Sequence, residues 1–238
     1  MKKFFVVAVT VIVVLSISSA VFAQDNAFAE DGWKKRFSSP SYGLSLMMLN
    51  VSDDNGLEET ILVPGFDFRI LNGTNISKRG GFYTGYEVGA TIYHLGESDS
   101  FYISDASMDA HVAELFAGCV YIMQKYGYRL DLGAKAGGIS IGTEIGIGIQ
   151  VGGGDYEVVD DSDEDNTISG GTDNPLGMLL ELTLEGSLRM GQNKRLFAGL
   201  GVMVSNPMLD EFDGGFGSLD VEQNPVRPVL RGGFSMNY

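Results

Sequence analysis

The stretch Pro228-Val-Leu-Arg-Gly-Gly-Phe-Ser-Met-Asn-Tyr238 alternates between two kinds of side chain along its whole length. One set is apolar, aromatic or glycine: Leu230, Gly232, Phe234, Met236 and Tyr238. The other set is polar or glycine: Arg231, Gly233, Ser235 and Asn237. Successive side chains of a strand point to opposite faces. The stretch therefore predicts a strand with lipid on one face and a polar lumen on the other.

The apolar face closes on Phe234, Met236 and Tyr238. This pattern resembles the C-terminal assembly signal of bacterial outer-membrane β-barrels, in which Phe is commoner than Tyr at the last position. The resemblance implies that the barrel-assembly machinery and outer-membrane lipids are partners of the protein.

The N-terminal residues predict export. Lys2 and Lys3 precede an apolar run over residues 4–15, and small residues follow at a cleavage position after Ala23, with a second possible position after Ala29. We therefore expect a signal peptide over 1–23, a periplasmic N-terminal segment over 24–40 and an outer-membrane β-barrel over 41–238. The single cysteine, Cys119, excludes an intramolecular disulfide, and we expect it on a lipid-facing strand.

Segments of period two recur through the rest of the chain and predict eight strands. They cover about 42–50, 60–71, 81–95, 109–124, 128–149, 175–190, 195–205 and 228–238. In the fourth segment we expect Leu115, Cys119 and Met123 to face outward, opposite Glu114. In the fifth the phase slips at Gly137-Gly138, which is either a bulge or a turn.

The links between the segments alternate in length. Gly73–Gly80, Lys125–Gly127 and Gly191–Lys194 are short, and four longer links separate them. Short periplasmic turns and long external loops are typical of outer-membrane barrels. The fold class is therefore all-β, an eight-stranded antiparallel up-and-down transmembrane β-barrel. Over residues 42–238 the pattern resembles the small barrels of the OmpA, OmpX and OmpW type.

The charges divide between the two kinds of link. The chain has a net charge of −15, and its long links hold acidic clusters such as 155–165 without a Lys or Arg before Arg227. The short links carry Lys78, Arg79, Lys125, Lys194 and Arg195. Basic residues are favourable next to anionic phospholipid, so both charge and link length predict long acidic loops outside the cell. Such a surface makes nucleic acid an improbable partner.

The polar faces of the strands predict a network of opposite charges in the lumen. Its acidic members are Asp67, Glu87, Glu114, Asp131, Glu181 and Glu185, and its basic members are Arg69, Arg129, Lys135, Arg189 and Arg231. An eight-stranded barrel is just wide enough for side chains to fill it. We therefore favour a packed interior over a gated pore.

No catalytic, cofactor or metal-binding residues are assigned. The acidic loops suggest divalent cations or an external protein as partners. His94 and His111 fall at the outer ends of neighbouring strands, where a lipid-modifying enzyme or a two-histidine metal site would require them to meet. We predict a non-enzymatic, surface-exposed structural or binding component. The alternatives are a narrow OmpW-like channel for small or hydrophobic molecules and, after it, the lipid-modifying enzyme.

Overall fold

The computed structural model describes residues 36–52, 58–76, 81–98, 101–103, 108–132, 138–161, 163–172, 176–190, 193–209, 212–215 and 219–238. Twelve strands lie in these ranges: β1 (Arg36–Ser52), β2 (Glu58–Asn75), β3 (Gly81–Leu95), β4 (Phe101–Ile103), β5 (Met108–Asp131), β6 (Ile139–Asp160), β7 (Asp163–Gly170), β8 (Leu176–Arg189), β9 (Lys194–Ser205), β10 (Phe212–Gly215), β11 (Leu219–Gln223) and β12 (Val226–Asn237). Within the same ranges, no helix is long and apolar enough to cross a membrane. The predicted signal peptide lies outside the described residues.

Eight of these strands close into a ring in the described part of the chain. The order around it is β1-β12-β9-β8-β6-β5-β3-β2, and β2 pairs again with β1. Every pairing in the ring is antiparallel, for example Leu44 with Phe66 between β1 and β2. The predicted eight-stranded barrel is confirmed. The four short strands extend its sheet: β4 on β5, β7 on β6, and β10 with β11 on β1.

The bounds of the fourth and fifth predicted segments change. The predicted turn at Lys125–Gly127 is wrong, because β5 runs through it and Lys125 pairs with both Gly85 and Gly146. Gly138 instead belongs to the link between β5 and β6. The strand count stays at eight because the residues after Lys125 join β5 and β6 begins afresh at Ile139.

The ends of the barrel strands reach further than the sequence predicts. Arg36 pairs with Thr74, so residues 36–40 belong to β1 and not to a separate periplasmic segment. Residues 152–160, predicted as loop, continue β6, and β7 folds back on them. Hairpin extensions therefore replace much of the expected external loop.

The outer surface of the ring is apolar, as predicted. Leu184, Leu200 and Phe66 are each more than half exposed, and inward neighbours such as Glu185 are buried. Apolar surface of this extent on a soluble protein would be exposed to water at a cost of about 25 cal/mol per Å². Hydrocarbon tails remove that cost, so the apolar belt marks the membrane-spanning zone.

The phase predicted for the fourth segment is wrong. Leu115, Cys119 and Met123 are buried inside the barrel, whereas Glu114 is exposed on its outer face. The register of β5 against β6 shifts at a bulge between Val112 and Glu114, just before these residues. Both faces of this part of β5 are apolar, because the upper interior of the barrel is itself apolar, and alternation alone could not separate them.

Candidate functional site in the barrel interior

Charged side chains fill the middle of the barrel, and we call this the ion-pair layer. Its basic members are Arg69, Lys125, Arg129 and Arg231, and its acidic members are Asp67, Glu87, Glu144, Glu181 and Glu185. Arg69 Nη1 donates to both carboxylate oxygens of Glu181, at 2.7 and 2.8 Å, and its Nε donates to Asp67. Because β2 and β8 lie opposite each other in the ring, the Arg69–Glu181 pair spans the lumen.

Strands β5 and β12 also lie on opposite walls of the barrel, and charged side chains from both reach its centre. Lys125 Nζ lies 2.5 Å from Glu181 Oε2 and 3.4 Å from Glu87 Oε1. From the opposite wall, Arg231 Nη1 lies 3.3 Å from Glu87 Oε2, and its Nη2 donates to Glu144. The cations thus share carboxylates at the centre, which offsets part of the cost of burying each charge.

Neutral donors complete the hydrogen bonding of the carboxylates. Thr91 donates to Asp67 at 2.7 Å, and Thr183 donates to Glu181 at the same distance. The hydroxyl of Tyr83 donates to Glu144. The carboxylates of the layer are therefore well supplied with donors, as buried charges in membrane proteins require, whereas the Nε–H groups of Arg129 and Arg231 have no hydrogen-bond partner.

A smaller group of charges closes the periplasmic end. Asp131 accepts from Arg195 Nη1 at 2.7 Å and from Arg189 Nη2 at 3.0 Å. Just above it, Arg129 Nη2 donates to Glu185 at 3.1 Å. Lys135, predicted for the lumen, lies outside the described residues.

Five of the residues predicted for the lumen network meet in the centre of the ion-pair layer: Asp67, Arg69, Glu87, Glu181 and Arg231. The placement of Glu114 in the lumen is wrong, since it is exposed outside. Lys125 and Glu144 were missed. The alternation Ile141, Ile145, Ile147 already placed Glu144 inward, whereas Lys125 was assigned to a turn.

Above the ion-pair layer the interior is apolar, and we call this region the upper chamber. Its wall includes Met47, Leu49, Val63, Leu115, Cys119, Leu179, Met203 and Val229. Residues 206–209, which we call the cap, fold into it, and Met208 and Leu209 are 1% and 3% exposed. Gln223 Oε1 accepts hydrogen bonds from both cap amides, at 2.7 and 3.1 Å.

The two histidines do not meet, although the sequence allowed them to lie side by side. His94 pairs with Phe116, whereas His111 pairs with Val159 further along β5 and contacts Asp161 Oδ1 through Nδ1 at 2.5 Å. The hydroxyl of Ser98 accepts from the amide of Val112 at 2.9 Å.

Exposed carboxylates on the strand extensions surround the external end. They are Glu58, Glu59, Glu97, Glu114, Asp155, Glu157, Asp163 and Glu222. Glu114 pairs with Glu157 and Phe116 with Asp155, and these four residues border a groove of about 410 Å³. Among the residues that the structure describes, no group of three or more His, Cys, Asp or Glu is arranged to hold a metal ion. Part of the acidic stretch 161–165 lies outside the described residues.

The residues of the predicted assembly signal lie at the periplasmic end of β12. Phe234 and Met236 are exposed on the lipid side, at 44% and 38%. The amide of Tyr238 donates to the carbonyl of Arg36 at 3.0 Å, which joins this end to the start of β1.

Three solved structures similar to this chain are outer-membrane proteins. The attachment invasion locus protein Ail of Yersinia pestis is 13% identical, with 86% of this chain and 100% of that chain covered and a TM-score of 0.40. Neisserial surface protein A is 13% identical, with coverages of 84% and 99% and a TM-score of 0.34. The outer-membrane protease OmpT of Escherichia coli is 7% identical, with coverages of 90% and 99% and a TM-score of 0.35. No protein-family model matches the sequence, and no curated protein matches it.

The closed ring, its apolar belt and its polar centre together define the class of the protein. It is a bacterial outer-membrane β-barrel protein of the small, eight-stranded type.

Proposed function

We propose that the protein is a non-conducting, non-enzymatic barrel that anchors a negatively charged binding surface outside the cell. The observation that carries this proposal is the filled interior. Arg69 and Glu181 join opposite walls, and both side chains have no exposed surface. An ion crossing the membrane would have to break this pair, which is costly in a medium of low dielectric constant.

The external end supports the second part of the proposal. Its described strand extensions carry exposed carboxylates, and among their described residues no Lys or Arg is exposed. Complementary charge steers association and favours a partner with a basic surface. The groove beside Glu114, Asp155 and Glu157 adds the aromatic ring of Phe116 to this charge.

Planar-bilayer recording tests the closed interior. We expect no discrete openings from the wild-type protein, and openings after Arg69→Ala together with Glu181→Ala. Arg189→Ala is the matched control, because Arg189 belongs to the periplasmic rim and not to the central pair. Wild-type openings of uniform size that the double substitution alters would overturn the non-conducting barrel.

Binding of a fluorescent lysine-rich peptide to the protein in nanodiscs tests the external surface. We expect salt-sensitive binding that weakens after Glu114→Gln, Asp155→Asn and Glu157→Gln are combined. The control combines Glu58→Gln, Glu59→Gln and Glu222→Gln, which removes the same charge elsewhere on the external side. Equal losses from both triple variants would contradict a role for the groove.

A further inference from the structure

Arg227 is a buried cation that stands apart from the ion-pair layer. It lies on β12 with no exposed surface. Its Nη1 donates to the hydroxyl of Tyr93 at 3.2 Å, and its Nη2 donates to Gln150 Oε1 and Ser205 Oγ, both at 2.8 Å. All three partners are neutral. Among the residues that the structure describes, no carboxylate oxygen lies within 4.0 Å of this guanidinium. Its Nε–H has no hydrogen-bond partner, which is also true of Arg129 and Arg231.

A buried charge without a counter-charge is costly, and an ionisable group inside a membrane protein marks a functional site by default. Arg129 and Arg231 show how this barrel otherwise treats guanidinium groups, since each has a carboxylate within 3.3 Å. Arg227 lacks the planar, bidentate partner that a carboxylate supplies. An anion would supply such a partner.

The surroundings of Arg227 specify what the rest of the ligand must be. Met208 Sδ and Cys119 Sγ lie 3.9 and 3.8 Å from its Nη1, and the apolar wall of the upper chamber continues from them. Methionine fills irregular space and adapts to substitution by other apolar groups. An apolar chamber with one charged group in its wall fits a molecule with a hydrocarbon chain and a single negative head.

The cap already occupies the space where such a chain would lie. It is held by side-chain hydrogen bonds: Gln223 to the amides of Met208 and Leu209, Gln150 Nε2 to the carbonyl of Asn206 at 3.0 Å, and Thr172 to the carbonyl of Met208. Displacing the cap would leave the ladders of the eight barrel strands intact. The two side chains it inserts contain roughly eight heavy atoms, the length of a medium acyl chain.

A groove beside the same chamber has a mainly polar lining, which includes Glu59, Thr60, Glu97 and Ser98. The β2–β3 ladder ends at the pair of Gly65 with Tyr93, and this groove of about 400 Å³ lies on the outer surface beyond it. Ile61 and Leu95 border this groove and also pack against the wall of the chamber. Tyr93, which belongs to that wall, accepts the hydrogen bond from Arg227.

We propose that the upper chamber binds an amphipathic monocarboxylate, with its carboxylate on Arg227 and its hydrocarbon chain in the space of Met208 and Leu209. The ion-pair layer closes the chamber below, so the site is a receptacle and not a path across the membrane. This binding site is distinct from the acidic external surface, and neither depends on the other.

Equilibrium binding of radiolabelled octanoate to the protein in nanodiscs tests the proposal, with empty nanodiscs as background. The uncharged probe 1-octanol has the same chain length and reports the apolar contribution alone. We expect Arg227→Met to weaken octanoate binding about tenfold, which corresponds to about 1.4 kcal/mol, and to leave octanol binding unchanged. Met208→Ala with Leu209→Ala is expected to strengthen octanoate binding, because less of the cap competes for the chamber. Equal octanoate affinities of wild type and Arg227→Met, or no octanoate binding even with the shortened cap, would overturn the proposal.

Heat-modifiable gel migration shows whether Arg227→Met folds. If it does not fold, a second measurement tests the proposal without this variant. Cys119 is the only cysteine and lies beside Arg227, so its alkylation by a small maleimide reports occupancy of the chamber. In the Met208→Ala, Leu209→Ala protein, octanoate should slow this alkylation at least several-fold more than octanol does. Equal protection by the two probes would show that the cation takes no part, and the site would be refuted.

Discussion

Replacing Glu181 with Gln removes one negative charge from the centre of the ion-pair layer and keeps the size of the side chain. Glu181 lies 2.7 Å from Arg69, 2.5 Å from Lys125 and 3.8 Å from Arg231, and its side chain has no exposed surface. Three buried cations would then share fewer counter-charges. Removing one partner of a buried ion pair costs about 3–5 kcal/mol, so we expect the free energy of unfolding to fall by that amount.

Urea unfolding in detergent micelles, followed by far-UV circular dichroism, measures this loss. With a slope of roughly 1–3 kcal/mol per M, the midpoint should fall by about 2 M. Glu58→Gln is the matched control, because the same substitution at an exposed carboxylate should change stability by less than about 0.5 kcal/mol. Adding Lys125→Met to Glu181→Gln removes one of the unpaired cations and should restore part of the loss. Equal midpoints for Glu181→Gln and Glu58→Gln would refute the reasoning.

Three further predictions concern packing, orientation and assembly. A Cβ added at Gly89 would overlap the ring of Tyr121, whereas one added at Gly186 meets nothing within 4 Å. In urea titrations, Gly89→Ala should therefore lower the free energy of unfolding by about 1–3 kcal/mol, and Gly186→Ala should leave it nearly unchanged. Because the thiol of Cys119 faces the interior, a membrane-permeant maleimide should label it slowly in the folded barrel and rapidly in urea. Fast labelling of the folded protein would show that Cys119 faces lipid instead. Tyr238→Ala should slow assembly in cells, so that unfolded protein accumulates, which is recognised because its gel migration does not change on heating. Substitution of the lipid-facing Leu200 by Ala should leave the assembly rate unchanged.

Period-two alternation was sufficient where the two faces of a strand differ chemically. In β8, leucines at 180, 182 and 184 oppose Glu181 and Glu185, and the structure has the same faces. In β5 the residues from Leu115 to Met123 are apolar on both faces. There the prediction of Cys119 facing lipid and Glu114 facing the lumen was wrong, because the upper interior is as apolar as the belt outside.

The candidate sites depended on contacts that no spacing reveals. Arg69 and Glu181 are 112 residues apart, and only ring closure places β2 opposite β8. Arg227 was recognised from the sequence merely as the basic residue at the edge of the last strand. Its isolation from carboxylates depends on the register of β12 against β9 and on the cap folding inward.

The sequence by itself determined the strand class, the number of barrel strands and, outside β5, the side that meets lipid, because each of these follows from local alternation of side-chain polarity. The tertiary structure alone decided which charges neutralise one another and which cation is left beside an apolar chamber. Those properties depend on distances between opposite walls, and such distances exist only once the ring has closed.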